Sequence, residues 1–104
     1  MGTERDKIGS VLNESIKIIN GDRRDSYGSP SASFELLADY WTTYLQSKGL
    51  MKDGARLSKG DAVMLLLFLK IARESNKHGH DNVVDMGGYV GLYGDITAEE
   101  QANG

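Results

Sequence analysis

The chain has 104 residues and a formal net charge of −3, values that favour one small globular domain. Its 12 basic residues are outnumbered by 15 acidic ones, which argues against a protein that binds bulk nucleic acid through many phosphates. The sequence has no cysteine, so disulfides, thiolate catalysis and cysteine-ligated zinc are excluded. Residues 1–7 are polar, and the longest apolar run is too short for a membrane span of about 20 residues. A cytoplasmic location and no membrane partner are therefore expected.

The first half of the chain predicts two helices. Apolar residues recur at steps of three and four between Thr3 and Asn20, which is the pattern of one helix face. A loop of turn-forming residues, 22–30, comes next. A second helix is predicted from near Ser31 to Gly49, where glycine can end it.

A third helix is predicted from Lys59 to about Ser75. Ser58 and Asp61 have the spacing of a capping pair, in which each residue satisfies a backbone N–H at the start of the helix. The run 62–69 that follows is apolar on nearly every side of the helix. This helix is therefore expected at the centre of the fold.

A fourth helix is predicted from residue 81 or 82 to about Tyr93, with Gly94 as its end. The chain is thus expected to form one helical domain over residues 1–94 and a flexible tail over 95–104. Strand patterns are nearly absent. The predicted fold class is all-α, a compact four-helix bundle.

Three glycines lie inside the fourth predicted helix, and each lowers helix stability by about 1 kcal/mol relative to alanine. Gly87, Gly88 and Gly91 therefore suggest the close approach of another backbone or of a ligand, or else a broken helix. The apolar third helix adds a related expectation. A homodimer or larger assembly is one way to cover it, and the glycines would suit a helix contact between subunits.

The loop before the second helix is a candidate phosphate site. Two guanidinium groups and three hydroxyls, with one glycine, stand just before a helix N-terminus, where backbone N–H groups and the helix dipole favour an anion. The alternative is a solvated turn with surface ion pairs. The candidate ligand-binding residues of this loop are Arg23, Arg24, Ser26, Tyr27, Gly28 and Ser29.

A second candidate site spans the third and fourth helices. Lys70 directly follows the apolar run, and Arg73 lies on the same helix face, so both could meet an anionic ligand or extend into water. Asn82 and Asp85 are one turn apart on the fourth helix, where a carboxylate could bind Mg²⁺, pair with Lys70, or cap the helix. Tyr89 could stack on a base or pack in the core.

These stretches resemble a small-protein family found in bacteriophages and prophages. Its members contain R-x-x-x-Y-G, then L-K-(I/L)-A-R, then D-N-x-x-D-x-x-G-Y, and the resemblance covers roughly residues 22–94. The family is largely uncharacterised. Some members are labelled MazG-like, after the all-α nucleoside triphosphate pyrophosphohydrolases. The resemblance therefore implies a MazG-like helical bundle that is completed by homo-oligomerisation.

MazG-like enzymes bind Mg²⁺ through a Glu-Glu-x-x-Glu helix and a later Glu-x-x-Asp helix. In this sequence Asn82 and Asp85 would form the second element, while the first element is missing and Glu35 with Asp39 is its nearest substitute. An enzyme that hydrolyses a nucleoside triphosphate would thus use Mg²⁺ on Asp85, Glu35 and Asp39. This is the alternative hypothesis.

The favoured hypothesis is a phage-type protein that binds a phosphate-bearing nucleotide without catalytic residues or a cofactor. Arg, Lys and Ser side chains would hold the phosphates, Tyr89 would stack on the base, and Asn82 would contact a base or ribose edge. Such a protein is similar to the small oligomeric sponges that sequester host immune signals, either cyclic nucleotides or ADP-ribose derivatives. It would act in the cytoplasm of the infected bacterium, as a homo-oligomer with pockets near subunit contacts.

Overall fold

The computed structural model describes residues 4–21 and 30–103, and four helices make up most of these two ranges. They are α1 (Glu4–Asn20), α2 (Pro30–Ser47), α3 (Lys59–Asn76) and α4 (His80–Asn103). No strand occurs within the described ranges. The predicted all-α fold class and its four helices are thus confirmed for this part of the chain.

Local hydrogen bonds explain where α2 ends and α3 begins. After α2, Gly49 adopts a φ of 68°, and the N–H of Leu50 donates to the carbonyl of Leu45 at 2.9 Å, which closes the helix as expected. Before α3, the hydroxyl of Ser58 accepts the N–H of Asp61 at 3.1 Å, and the Asp61 carboxylate accepts the N–H of Ser58 at 2.9 Å. The predicted capping pair is therefore confirmed.

Helix α3 packs on α2 and α4, and α4 also packs on α1. The spatial order is therefore α2, α3, α4, α1, and the molecule extends over 57 × 34 × 25 Å, more open than the compact bundle expected from the sequence. Among the described residues, the buried apolar side chains are few and mostly small: Ala38, Ala62, Val63, Val84 and Ile96. No helix in the described ranges is both long enough and apolar enough to cross a membrane.

Helix α4 is longer than the sequence predicted. It begins at His80 and continues through Gly94 to Asn103, so the expected helix end at Gly94 is wrong. The segment expected as a tail is helical, and its Ile96 is only 3% exposed. Burial of Ile96 against the rest of the chain compensates for the low helix propensity of Gly94, a tertiary effect that local sequence patterns do not contain.

The glycines of α4 allow α1 to approach closely. A Cβ at Gly87 would lie 2.6 Å from Oγ and 3.2 Å from Cβ of Ser15, and one at Gly91 would lie 3.4 Å from Cδ1 of Ile19. Ser15 is buried and donates a hydrogen bond of 2.7 Å to the carbonyl of Val84. Of the three interpretations of these glycines, close helix packing is thus the one observed, and the contact lies within one chain.

We expect Gly87→Ala to destabilise the protein by about 1–3 kcal/mol, because the added methyl group would force Ser15 away from Val84. Gly94→Ala is the matched control, since a Cβ at Gly94 meets no atom within 4 Å. The control should be neutral or stabilising by up to about 1 kcal/mol, as expected for Gly→Ala in an exposed helix. Urea unfolding of both variants checks this, and equal midpoints would contradict the packing described here.

Candidate functional site

A cationic and an anionic side chain meet between α3 and α4. The ammonium Nζ of Lys70 lies 2.9 Å from Oδ2 of Asp85, and the two side chains are only 15% and 13% exposed. Lys70 is the first charged residue after the apolar run of α3, so its stem leaves the core at the point where α4 passes. The pairing that the sequence left as one of several alternatives is the one observed.

Glu74, one turn after Lys70 on α3, connects the end of α3 to the start of α4. Its carboxylate accepts the backbone N–H of Gly79 at 2.9 Å and also bonds the side chains of His78 and Asn82. We refer to Lys70, Glu74, Gly79, Asn82 and Asp85 together as the α3–α4 corner. Three of the sequence-predicted ligand residues, Lys70, Asn82 and Asp85, therefore lie in one cluster.

The remaining predicted ligand residues are not part of the α3–α4 corner. Arg73 is exposed and lies on the same face of α3 as Lys70, and Tyr89 is half-buried one turn beyond Asp85 on α4. The loop residues are outside the described part of the chain: Arg23, Arg24, Ser26, Tyr27, Gly28 and Ser29. Whether this loop meets the corner is thus still a prediction.

The acidic residues of α2 lie at the opposite end of α3. Glu35 and Asp39 line an open cleft of about 310 Å³ together with Lys59, at the start of α3, and Glu100, near the end of α4. Asp39 pairs there with the guanidinium of Arg56. The 11 residues from Lys59 to Lys70 correspond to about 16 Å of helix, so the structure does not bring Glu35 and Asp39 to Asp85. Within the described ranges, no group of three or more His, Asp or Glu residues is arranged to hold a metal ion.

A side-chain hydrogen bond that the sequence did not predict connects α1 to the start of α4. Nε2 of His80, the first residue of α4, lies 2.7 Å from Oε2 of Glu14 on α1. The two residues are separated by 66 positions, and neither stands in a recognisable motif. No local sequence pattern predicts this contact, which depends on how α1 packs on α4. The predicted start of the fourth helix, at residue 81 or 82, left His80 just outside it.

The fold and the corner define a small all-helical protein with a shielded ion pair between its two central helices. The chain belongs to the family described as "Domain of unknown function (DUF6378)", which it matches over residues 10–97. The expected kinship with a small phage protein family of unknown function is therefore confirmed at this level.

Two mycobacteriophage proteins are similar to the chain. It is 34% identical over 84 residues to the Gene 55 protein of Mycobacterium phage L5, which covers 80% of this chain and 49% of that protein. It is 32% identical over 91 residues to the Gene 55 protein of Mycobacterium phage D29, with 86% and 55% covered. The chain thus spans about half the length of these curated relatives. No solved structure matches it.

The corner makes stability depend on pH through Glu74. The hydrogen bond with His78 first, and then the N–H of Gly79, hold the pKa of the Glu74 carboxyl below its ordinary value of 4.5. The ionised carboxylate therefore adds stability above about pH 4.5, and this contribution is lost as the pH falls through the lower, folded-state pKa.

We therefore expect Glu74→Gln to lower the urea midpoint at neutral pH, and the difference from wild type to shrink as the pH falls below the pKa of the folded state. Glu99→Gln, at an exposed position on α4, is the matched control and should leave the midpoint unchanged. A Glu74→Gln midpoint equal to wild type at neutral pH would contradict the role given to Glu74.

Proposed function

We propose that this protein binds a phosphate-bearing nucleotide at the α3–α4 corner and retains it without chemical change. The observation that supports this most directly is the Lys70–Asp85 pair, in which both side chains are largely shielded from water. Removing two charges from water is costly, and a lysine at the edge of the core that is held by one carboxylate still has N–H groups with which it can bind an anion. Lys70 and Asp85 also stand in the two stretches, L-K-I-A-R and D-N-x-x-D-x-x-G-Y, that carry the resemblance to a phage protein family.

The chemistry of the corner suits a phosphate ester. An ammonium group has three N–H donors, so Lys70 can hold Asp85 and a phosphate oxygen at the same time. Arg73, exposed one turn further along α3, can add a bidentate contact. We propose that Arg23, Arg24 and the hydroxyls of their loop complete the phosphate contacts, and that Asn82 and Tyr89 contact the nucleoside.

Binding without turnover is favoured over hydrolysis by the distribution of the carboxylates. Mg²⁺-dependent hydrolysis of a triphosphate needs several acidic groups around the metal ions. Among the described residues, Asp85 is paired with Lys70, whereas Glu35 and Asp39 line a cleft at the other end of α3. We propose that the protein acts as a sponge in an infected bacterium and sequesters a signalling nucleotide of the host, either a cyclic nucleotide or an ADP-ribose derivative.

Native mass spectrometry tests binding and turnover together. The purified protein is incubated with ATP, a cyclic dinucleotide or ADP-ribose, with and without Mg²⁺, and the nucleotide is recovered after denaturation. We expect an adduct with one of these probes and recovery of the intact nucleotide. Mg²⁺-dependent release of a nucleoside monophosphate and pyrophosphate would instead support the MazG-like enzyme.

Substitution of the proposed phosphate contacts tests the position of the site. Lys70→Ala and Arg24→Ala should each weaken binding of the probe by about 1.5–3 kcal/mol, the value of a hydrogen bond to a charged group. Lys48→Ala is the matched control, because Lys48 is exposed beyond the end of α2 and should leave the affinity unchanged. Equal affinities for Lys70→Ala and Lys48→Ala, measured by calorimetry, would place the ligand elsewhere.

A further inference from the structure

Helix α3 leaves one apolar stripe uncovered. Its side chains stand at the three- and four-residue steps of a single helix face, and each is between 39% and 56% exposed: Leu65, Phe68, Leu69 and Ile71. Ala72 lies on the same face and is also exposed. We call these five residues the α3 stripe. It contains no charged side chain.

The neighbouring helices cannot cover the α3 stripe because they occupy other parts of α3. Helix α2 contacts the start of α3 through two hydrogen bonds. The hydroxyl of Thr42 accepts the N–H of Leu57 at 2.9 Å, and the hydroxyl of Ser31 accepts a hydrogen bond from Nζ of Lys59 at 2.9 Å. Helix α4 lies on the side of Lys70, where that residue meets Asp85. Around a helix axis Phe68 and Lys70 are about 160° apart, so the stripe faces away from α4.

The surface area of the chain is larger than that of a compact monomer. The chain exposes 7575 Å², whereas a compact monomer of its mass exposes about 5,800 Å² by the usual scaling of area with mass. The open packing of the described helices leaves apolar side chains in contact with water, and the α3 stripe is one such group.

We propose that the α3 stripe packs against the α3 stripe of a second copy of this chain. A two-fold contact requires one surface that complements itself, and two uncharged stripes can meet without repulsion between like charges. Rows of side chains at steps of three and four are also the rows by which helices interdigitate. The glycines of α4 take no part in this contact, because they pack on α1 within the chain. This inference does not depend on the proposed ligand.

Light scattering coupled to size-exclusion chromatography tests the dimer without any nucleotide. Wild type should have twice the chain mass of 11.4 kDa, and Phe68→Glu should have the mass of a single chain. Val90→Glu is the matched control, since Val90 is 59% exposed on α4, outside the stripe, and should remain a dimer. A wild-type protein of single-chain mass up to about 100 μM, or equal dissociation of both variants, would overturn the proposal.

A second measurement remains decisive if Phe68→Glu fails to fold, which circular dichroism would reveal. The natural sequence has no cysteine, so Phe68→Cys and Val90→Cys each introduce a single thiol. A short bismaleimide should join two Phe68→Cys chains efficiently and two Val90→Cys chains at least tenfold less. Equal cross-linking of the two variants would contradict the α3–α3 contact.

Discussion

The apolar run of α3 has to be covered on nearly every side, and this requirement shapes the rest of the molecule. Ala62 and Val63 are fully buried where α2 and α4 pack on the helix. Their side chains are short, so the core that a single chain builds around α3 is small. Burial of apolar surface is the main favourable contribution to folding. Because a single chain buries little apolar surface, covering the exposed side of α3 would add to its stability.

The polar corner is a consequence of the same run. The uninterrupted apolar run ends at Leu69, and the next residue, Lys70, carries its charge to the edge of the core on the α4 side. A lysine in that position must reach water or meet a carboxylate, and Asp85 supplies the carboxylate. Glu74 then fixes the short connection to α4 by accepting the N–H of Gly79. The site is thus built from residues that also determine how the two central helices meet.

Much of the fold could be predicted from local patterns because local interactions determine it. Ser58 and Asp61 mark the start of α3, and Gly49 ends α2, since each acts on backbone groups within a few residues. The end of α4 could not be predicted, because burial of Ile96 involves residues that are distant in sequence. Gly94 keeps a helical backbone, whereas Gly49 adopts a positive φ, so Gly94 weakens α4 without ending it.

The sequence suggested several residues of the α3–α4 corner as candidates but did not predict how they are arranged. The motifs identified Lys70, Asn82 and Asp85, yet the choice of Asp85 as the partner of Lys70 depends on how α3 and α4 turn around each other. The same geometry separates Glu35 and Asp39 from Asp85, and spacing along the chain gave no indication of that. The pair of Glu14 and His80, 66 positions apart, had no local signal at all.

The α3 stripe and the α3–α4 corner, the two surfaces of α3 for which we propose roles, face in nearly opposite directions. Phe68 and Lys70 are two positions apart, which corresponds to about 160° around the helix. Two copies joined through Phe68 would leave both α3–α4 corners open on the outer sides of the assembly. Each copy could then bind its own ligand without competition from the subunit contact.

Self-association would also stabilise α3, the helix that carries Lys70 and Arg73, because a partner that binds only the folded chain shifts the folding equilibrium toward the folded state. The apolar and polar sides of one helix would in this way serve assembly and recognition separately.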